Sequence, residues 1–590
     1  MQKRSVLKRF LIWRIKNITN SQFMIFLSII VGLCAGIAAF FIKKSVFLIQ
    51  LLLTNGFDQS YGNYLYFIYP SIGILLVILF IKYLLKRPVN HGIPSVLYAI
   101  SKSNGIIRRH NMFSSIVSSA ITVGFGGSVG LEGPTVATGA AFGSNIGRLL
   151  RVNYKQIILL LGCACAGAMA AIFKAPIAAI VFAIEVIMLD LTMASLMPLL
   201  LASVSAALTS YLLMGQNVLY PVTVNDTFQI YQVPFYILLG IFTGLISVYF
   251  TKVYMFINKT FESIKKWYIK ILIGGVILGG LIFLMPSLYG EGYEVINSCL
   301  HGNYDYLFNN SIFFSFKDNF LVILLLFFMI LLFKVVATAV TFGSGGIGGI
   351  FAPSLFLGAN AGLLFVKSTN LAGAKLNETS FALVGMAGLI AGVIHAPLTA
   401  IFLIAEITGG YQLFMPLMIT AALSYGTVKL FTSNSVYTIE LAKRGELMTH
   451  DKDKAVMSLL KVEKHIETNF KTIDADSNLR DLVGVISKSS RNIYPVVDKD
   501  NNMLGIIFLD HIRHIMFRQE MYDEIFVRDL MYMPSPVVDP DESMEDVAAK
   551  FQQSGNFNLP VVKDGKYLGF VSRANIFSSY IKMLKEFSED

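Results

Sequence analysis

The sequence predicts an all-α polytopic membrane body in two related halves, followed by a small α/β tail. Three observations carry this: uneven charge, long apolar runs, and two internal repeats. Of 590 residues, 55% are apolar and only 14% charged, with mean hydropathy +0.64. Soluble domains average about 25% charged residues. Residues 1–450 hold 30 Lys/Arg and 14 Asp/Glu, against 18 and 23 in residues 451–590. The net charge of +11 thus divides into a basic body, about 10% charged, and a mildly acidic tail, about 29% charged.

Residues 1–22 form a basic segment with Lys3, Arg4, Lys8, Arg9, Arg14 and Lys16. Positive charge beside a first membrane helix favours a cytoplasmic N-terminus, so the basic excess reads as a topology signal rather than a nucleic-acid surface. Apolar runs follow near 23–54, 66–85, 155–187, 191–214, 233–256, 269–285, 319–341, 381–407 and 412–431. Several exceed the roughly 20 residues that cross a bilayer, which implies tilt. The first is too long for the apolar core of a secretory signal. Cys34, Cys163, Cys165 and Cys299 have neither zinc spacing nor a disulfide framework.

Between the runs lie Gly-rich, broken segments, Ile121–Gly143 and Phe342–Gly362 among them. Irregular backbone at membrane depth persists only where protein or a water-filled cavity covers it. Both broken segments belong to a repeat. Gly126, Gly127, Gly130, Pro134, Gly139, Ala140 and Gly143 recur 219 residues later as Gly345, Gly346, Gly349, Pro353, Gly358, Ala359 and Gly362. Next, Gly167–Glu185 recurs as Gly388–Glu406, with Ala175, Pro176 and Glu185 matched by Ala396, Pro397 and Glu406. Interrupted apolar segments at matching places in two halves point to a transporter's central site.

Glu132, Glu185 and Glu406 are the acids inside these broken or apolar segments. Intramembrane carboxylates are costly and mark ion pathways by default. Glu132 sits in the loop Gly126–Pro134, whose Gly133–Pro134 pair suits a helix start. A helix N-terminus offers free amides and partial positive charge to an anion. A carboxylate there can occupy the site when ionised and vacate it when protonated, which makes a gate. The symmetric placement of Glu185 and Glu406 favours an architectural role, helix capping, over an ionic one. In the partner loop, Gly343–Pro353, the amides of Ile350 and Phe351 suit the same kind of anion. Asn90-His-Gly-Ile-Pro94 is a third such helix start.

Together the motifs NHGIP (90–94), GLEGP (130–134), GGIFAP (348–353) and SVYTIEL (435–441) resemble the CLC chloride channel and proton-coupled transporter family. The resemblance spans most of 23–445. It implies inverted-topology repeats, a homodimer and one anion pathway per subunit. It further implies that Glu132 is the gating glutamate, with chloride held by the amides of Ile350 and Phe351 and by the Tyr437 hydroxyl. The first motif of the family usually carries a serine, where this chain has His91. Two readings stand: the imidazole donates to the anion, or His91 packs while backbone amides such as that of Gly92 bind it. Leu131 replaces a common arginine. Val186 replaces the inner glutamate of proton-coupled members, a substitution that channel members share and that some exchangers also tolerate.

The tail repeats too: Asn492–Ile512 and Asn558–Ile576 each place two β-rich runs around a polar turn. It resembles a pair of CBS domains, which often bind adenine nucleotides such as ATP. In Gly569-Phe-Val-Ser572-Arg-Ala-Asn575 the ribose-contacting pattern is nearly complete, with Asn575 in place of an acid; Phe508 and His511 break the pattern in the first unit.

The expected organisation is a cytoplasmic segment 1–22, a membrane domain 23–445 with halves 23–214 and 233–445, a linker 446–465, and CBS units 466–522 and 523–590. The expected function is glutamate-gated chloride conduction as a channel, with nucleotide regulation through the tail. A chloride/proton or fluoride/proton antiporter is the alternative. A CBS-regulated divalent-cation transporter is disfavoured, because a cation path needs more acids. No Ser/His/Asp grouping, metal cluster or phosphate loop suggests an enzyme, and no cofactor is required. The expected location is a bacterial inner membrane with both termini cytoplasmic, and the expected partners are lipid, chloride, protons and a second copy of the chain.

Overall fold

The computed structural model describes residues 6–54, 62–89, 92–187, 193–216, 220, 228–308, 311, 313–317, 319–443, 457, 460–533 and 536–588. They form two compact units, Met1–Leu447 and Met448–Asp590.

The first unit is helical. Among the described residues, eight helices are long and apolar enough to cross a membrane. The helix Asn20–Thr54 has 35 residues, about 52 Å at 1.5 Å per residue, so it must tilt across an apolar layer of about 30 Å. The apolar runs 155–187 and 381–407 are continuous in sequence, yet each folds as two helices. Tyr154–Phe173 is followed by Pro176–Glu185, and Glu378–Ile394 by Pro397–Ile407. The cause is proline, which lacks an N–H and disfavours a helical residue before it. At each break one residue turns left-handed, Lys174 at φ 57° and His395 at φ 61°.

Each break leaves a helix start that the other half caps. Glu185 accepts from the amides of Leu398 (3.2 Å) and Thr399 (2.8 Å) and from the Thr399 hydroxyl (2.7 Å). Glu406 accepts from the amides of Ile177 (3.1 Å) and Ala178 (2.8 Å). These two acids therefore serve the architecture, each closing the orphan amides of the opposite helix.

A second reciprocal set lies at the broken segments. Gly130 and Gly349 exchange N–H···O bonds of 2.8 Å in both directions. The Ser128 amide donates to the Thr341 hydroxyl (3.2 Å), and the Ile347 amide to the Thr122 hydroxyl (3.0 Å). Every one of these partners is related by the 219-residue offset. The chain has inverted-topology repeats, and their pseudo-two-fold relation appears bond by bond.

The second unit is α/β. Ile473–Asp474 pairs parallel with Ile493–Val497, which pairs antiparallel with Met503–Phe508. Asn558–Lys563 pairs antiparallel with Lys566–Ser572. Helices Leu479–Ser487 and Met544–Ser554 precede the two hairpins. The segments leading into each half are exchanged. Lys461 bridges Ser543 and Glu467 bridges Phe570, while Tyr532 bridges Ile506. Leu460 and Val462 pack in one core with Val538, Leu559 and Val571. Residues 460–465, expected as linker, thus contribute to the tail's core; most of 446–459 lies outside the described residues.

Removing either reciprocal cap should destabilise the membrane unit. Glu185→Ala or Glu406→Ala is expected to cost about 1–2 kcal/mol, read as a lower unfolding midpoint of the detergent-purified protein.

Candidate functional site

Three helices begin at one place: Gly92–Lys102, Glu132–Leu149 and Phe351–Leu371. Backbone meets backbone there. A Cβ on Gly92 would come within 3.2 Å of the Gly133 Cα, and one on Gly133 within 3.1 Å of the Gly349 Cα. Glycine lets these starts approach so closely, because a side chain would have to push the facing backbone aside. The convergence aims three partial positive charges at a common region. His91 and Asn90, at the first of these starts, lie outside the described residues.

Glu132 opens the second helix and is fully buried. Its Oε1 accepts from the Tyr293 hydroxyl. Its Oε2 has no hydrogen-bond partner, and the Ala352 amide lies beside the carboxylate. Ile350 and Phe351 stand at the third start, both buried. The Phe351 ring packs on Phe173 (5.3 Å between centroids) and Phe182 (6.4 Å), which leaves its main-chain amide as the polar group of that residue. Tyr437 is 5% exposed, its hydroxyl unpartnered, and it interacts electrostatically with Glu132. The structure therefore brings Gly92, Glu132, Ile350, Phe351 and Tyr437 to one buried region. Val186, directly after Glu185, is buried and apolar.

Five further polar groups lie around Glu132 or its neighbour Glu291, and the motifs did not point to them. Tyr293 holds the carboxylate. Tyr220 lies beside it, ring centroids 6.3 Å apart, with an unpartnered buried hydroxyl. Glu291 is a fourth interior acid, and its Oε1 accepts from the Leu131 amide at 3.2 Å. Lys43 donates to the Ile172 carbonyl at 2.7 Å and interacts with both Glu132 and Glu291. Lys334 is fully buried and donates to the carbonyls of Leu288 (3.2 Å) and Gly290 (3.0 Å). Lys43 and Lys334 were visible as charges within apolar runs. Glu291 was not, since Tyr289–Tyr293 reads as a polar loop between spans.

In the tail, Ser572 and Asn575 meet a carboxylate from the exchanged segment. The Ser572 hydroxyl donates to Glu467 Oε1 (2.7 Å), as does the Asn575 amide group (3.3 Å), and Arg491 pairs with Oε2 (2.7 Å). Phe508 and His511 stack with Tyr532 instead.

A family model described as voltage gated chloride channel matches residues 73–429. The chain belongs to this family, the CLC proteins. A CBS-domain model matches 462–518 and 527–582, so the tail is a CBS pair. Among CLC relatives, a putative chloride channel protein ClcB-like of Ralstonia nicotianae is 32% identical over 381 residues, 63% of this chain and 85% of that protein. The H(+)/Cl(-) exchange transporter ClcA of Vibrio cholerae is 28% identical over 433 residues, 70% and 88% of the two chains. The fold is shared with a slow cyanobacterial Cl−/H+ antiporter (TM-score 0.61, 21% identity, covering 71% of this chain and 97% of that one). It is shared also with a CLC-type fluoride/proton antiporter (TM-score 0.57, 22% identity, covering 74% and 98%).

The Glu467 cluster has a pH signature. Burial raises the proton affinity of Glu467, but hydrogen bonds from Ser572 and Asn575 and the Arg491 guanidinium outweigh it and hold the carboxyl below its ordinary value. A depressed folded value stabilises the fold at neutral pH, and that stability is lost as pH falls below about 4.3. Glu467→Gln should therefore be less stable than the wild type at neutral pH and lose less stability as the pH falls below about 4.3, read as the unfolding midpoint of the tail at each pH; equal acid profiles for both proteins would count against the cluster.

Proposed function

We propose that this CLC protein exchanges chloride for protons across the membrane, with Glu132 as the group that both ions contest. Chloride conduction as a channel was the first expectation from Val186. The similarity to proton/chloride exchange transporters supports the antiporter more strongly. The single observation that carries the reading is the buried pair of unpartnered oxygens, Glu132 Oε2 and the Tyr437 hydroxyl, beside three converging helix starts. A buried unpaired hydroxyl costs about 1–3 kcal/mol, a cost that an anion accepting from Tyr437 would relieve.

In this mechanism ionised Glu132 occupies the anion's place, held by Tyr293. Protonation removes its charge and its claim on the helix amides. Chloride then binds the amides of Ile350, Phe351 and Gly92 and the phenol of Tyr437, with the His91 imidazole assigned to the same ion. When Glu132 releases its proton it displaces the anion. Each cycle therefore moves the two ions in opposite directions. The protein works as a homodimer with one pathway per subunit, in a bacterial inner membrane, and the basic segment before the first span keeps the N-terminus cytoplasmic together with the CBS tail.

In reconstituted vesicles, a chloride gradient should drive protons uphill through the wild-type protein. Glu132→Gln should abolish that proton movement while chloride still passes. Chloride flux without proton movement in the wild type would return the protein to the channel reading, and a response to fluoride alone would reassign the anion.

The Ser572–Asn575 pocket is the candidate adenine-nucleotide site, in which Glu467 supplies the carboxylate that Asn575 lacks for a ribose. ATP binding to the full chain, followed by equilibrium dialysis, should saturate and weaken at least about tenfold in Glu467→Ala, the scale of one lost charged hydrogen bond. An absence of saturable binding would leave the tail without a nucleotide.

A further inference from the structure

The loop Leu288–Tyr293 joins two helices of the second half, and several of its polar groups are committed around Glu132. Ser128 donates to the Leu288 carbonyl at 2.7 Å. Lys334 clamps the carbonyls of Leu288 and Gly290 and lies over the Phe356 ring, 4.8 Å from its centroid. Tyr293 holds Glu132. Between them Glu291 sits on the Leu131 amide. By the 219-residue offset, Leu131 matches Ile350. One half presents this amide to the anion region, while in the other half a carboxylate covers it.

Glu291 and Glu132 thus accept from, or follow on from, consecutive residues at one helix start. The charged and titratable groups facing Glu291 are Glu132 and Tyr293, Lys43 from the helix Asn20–Thr54, Lys334 from the helix Phe320–Gly343, and Tyr220. Two carboxylates in one apolar region disfavour each other's ionised form, so they titrate as a pair. An anion replacing Glu132 keeps the negative charge in place, and its field acts on Glu291 in the same direction.

We propose that Glu291 is a positioning residue for exchange: a second proton-binding carboxylate whose charge sets the pH at which Glu132 yields to the anion. This rests on the reading of Glu132 as the exchange gate. No bond is made or broken apart from proton binding at a carboxylate oxygen. Removing the negative neighbour makes ionised Glu132 easier to keep, and removing the positive neighbour Lys43 makes it harder.

The test is the pH profile of chloride flux in reconstituted vesicles. Acid activation should move to lower pH by about one unit in Glu291→Gln, remain near the wild-type midpoint in Glu291→Asp, and move to higher pH in Lys43→Met. A Glu291→Gln protein with altered rate but an unmoved midpoint would overturn the proposal. A second measurement covers a variant that fails to fold. In Glu132→Gln protein in weakly buffered detergent, added chloride should still cause proton uptake between roughly pH 5 and 9, because Glu291 remains. Absence of that uptake also overturns the proposal. A wild-type protein whose flux ignores pH would instead remove the gate reading itself, so the two failures are distinct.

Discussion

In a medium without water, a helix end is both a cost and a resource. Its first amides have no intrahelical partner, and each must find an acceptor. This chain solves the problem in two opposite ways. At Pro176 and Pro397 the acceptor is a fixed carboxylate from the other half, Glu406 or Glu185, and the ends are sealed. At Gly92, Glu132 and Phe351 the ends are brought together by glycine contacts that a side chain would force apart by a few tenths of an ångström. The first solution holds the two halves in register, and the Gly130–Gly349 bonds extend that register to the second. The open site thus depends on the sealed ones.

The sequence made much of this legible because the same residue types recur at fixed offsets. Gly130 and Gly349, Pro176 and Pro397, and Glu185 and Glu406 could be matched before any contact was known. The capping of each half by the other follows from that symmetry. Other features could not be read. The breaks at Lys174 and His395 fall in apolar runs marked only by one polar residue and the following Ala–Pro pair, and the left-handed turn at each is fixed by that pair and by packing. Glu291 is polar, flanked by glycines and outside every apolar run; only the fold of Leu288–Tyr293 half-buries it beside Leu131. Tyr220 and Tyr293 lie in different segments and meet only in three dimensions. In the tail, the exchange that sends Glu467 to Ser572 is likewise a long-range event, and no local pattern encodes it.

The charges around Glu132 bear on the question that Val186 raises. Fully ionised, Glu132, Glu291, Lys43 and Lys334 sum to zero, a balance suited to a region where an unpaired charge is expensive. An anion entering alone would leave a net charge of −1 among groups already short of water. An anion entering with one proton on either carboxylate restores neutrality. On the proposed exchange reading, this balance would tie anion entry to proton uptake without calling on the residue after Glu185. A valine at 186 removes one possible proton carrier and does not alter this charge balance. The charge balance among Glu132, Glu291, Lys43 and Lys334, as well as the residue after Glu185, therefore bears on exchange against conduction.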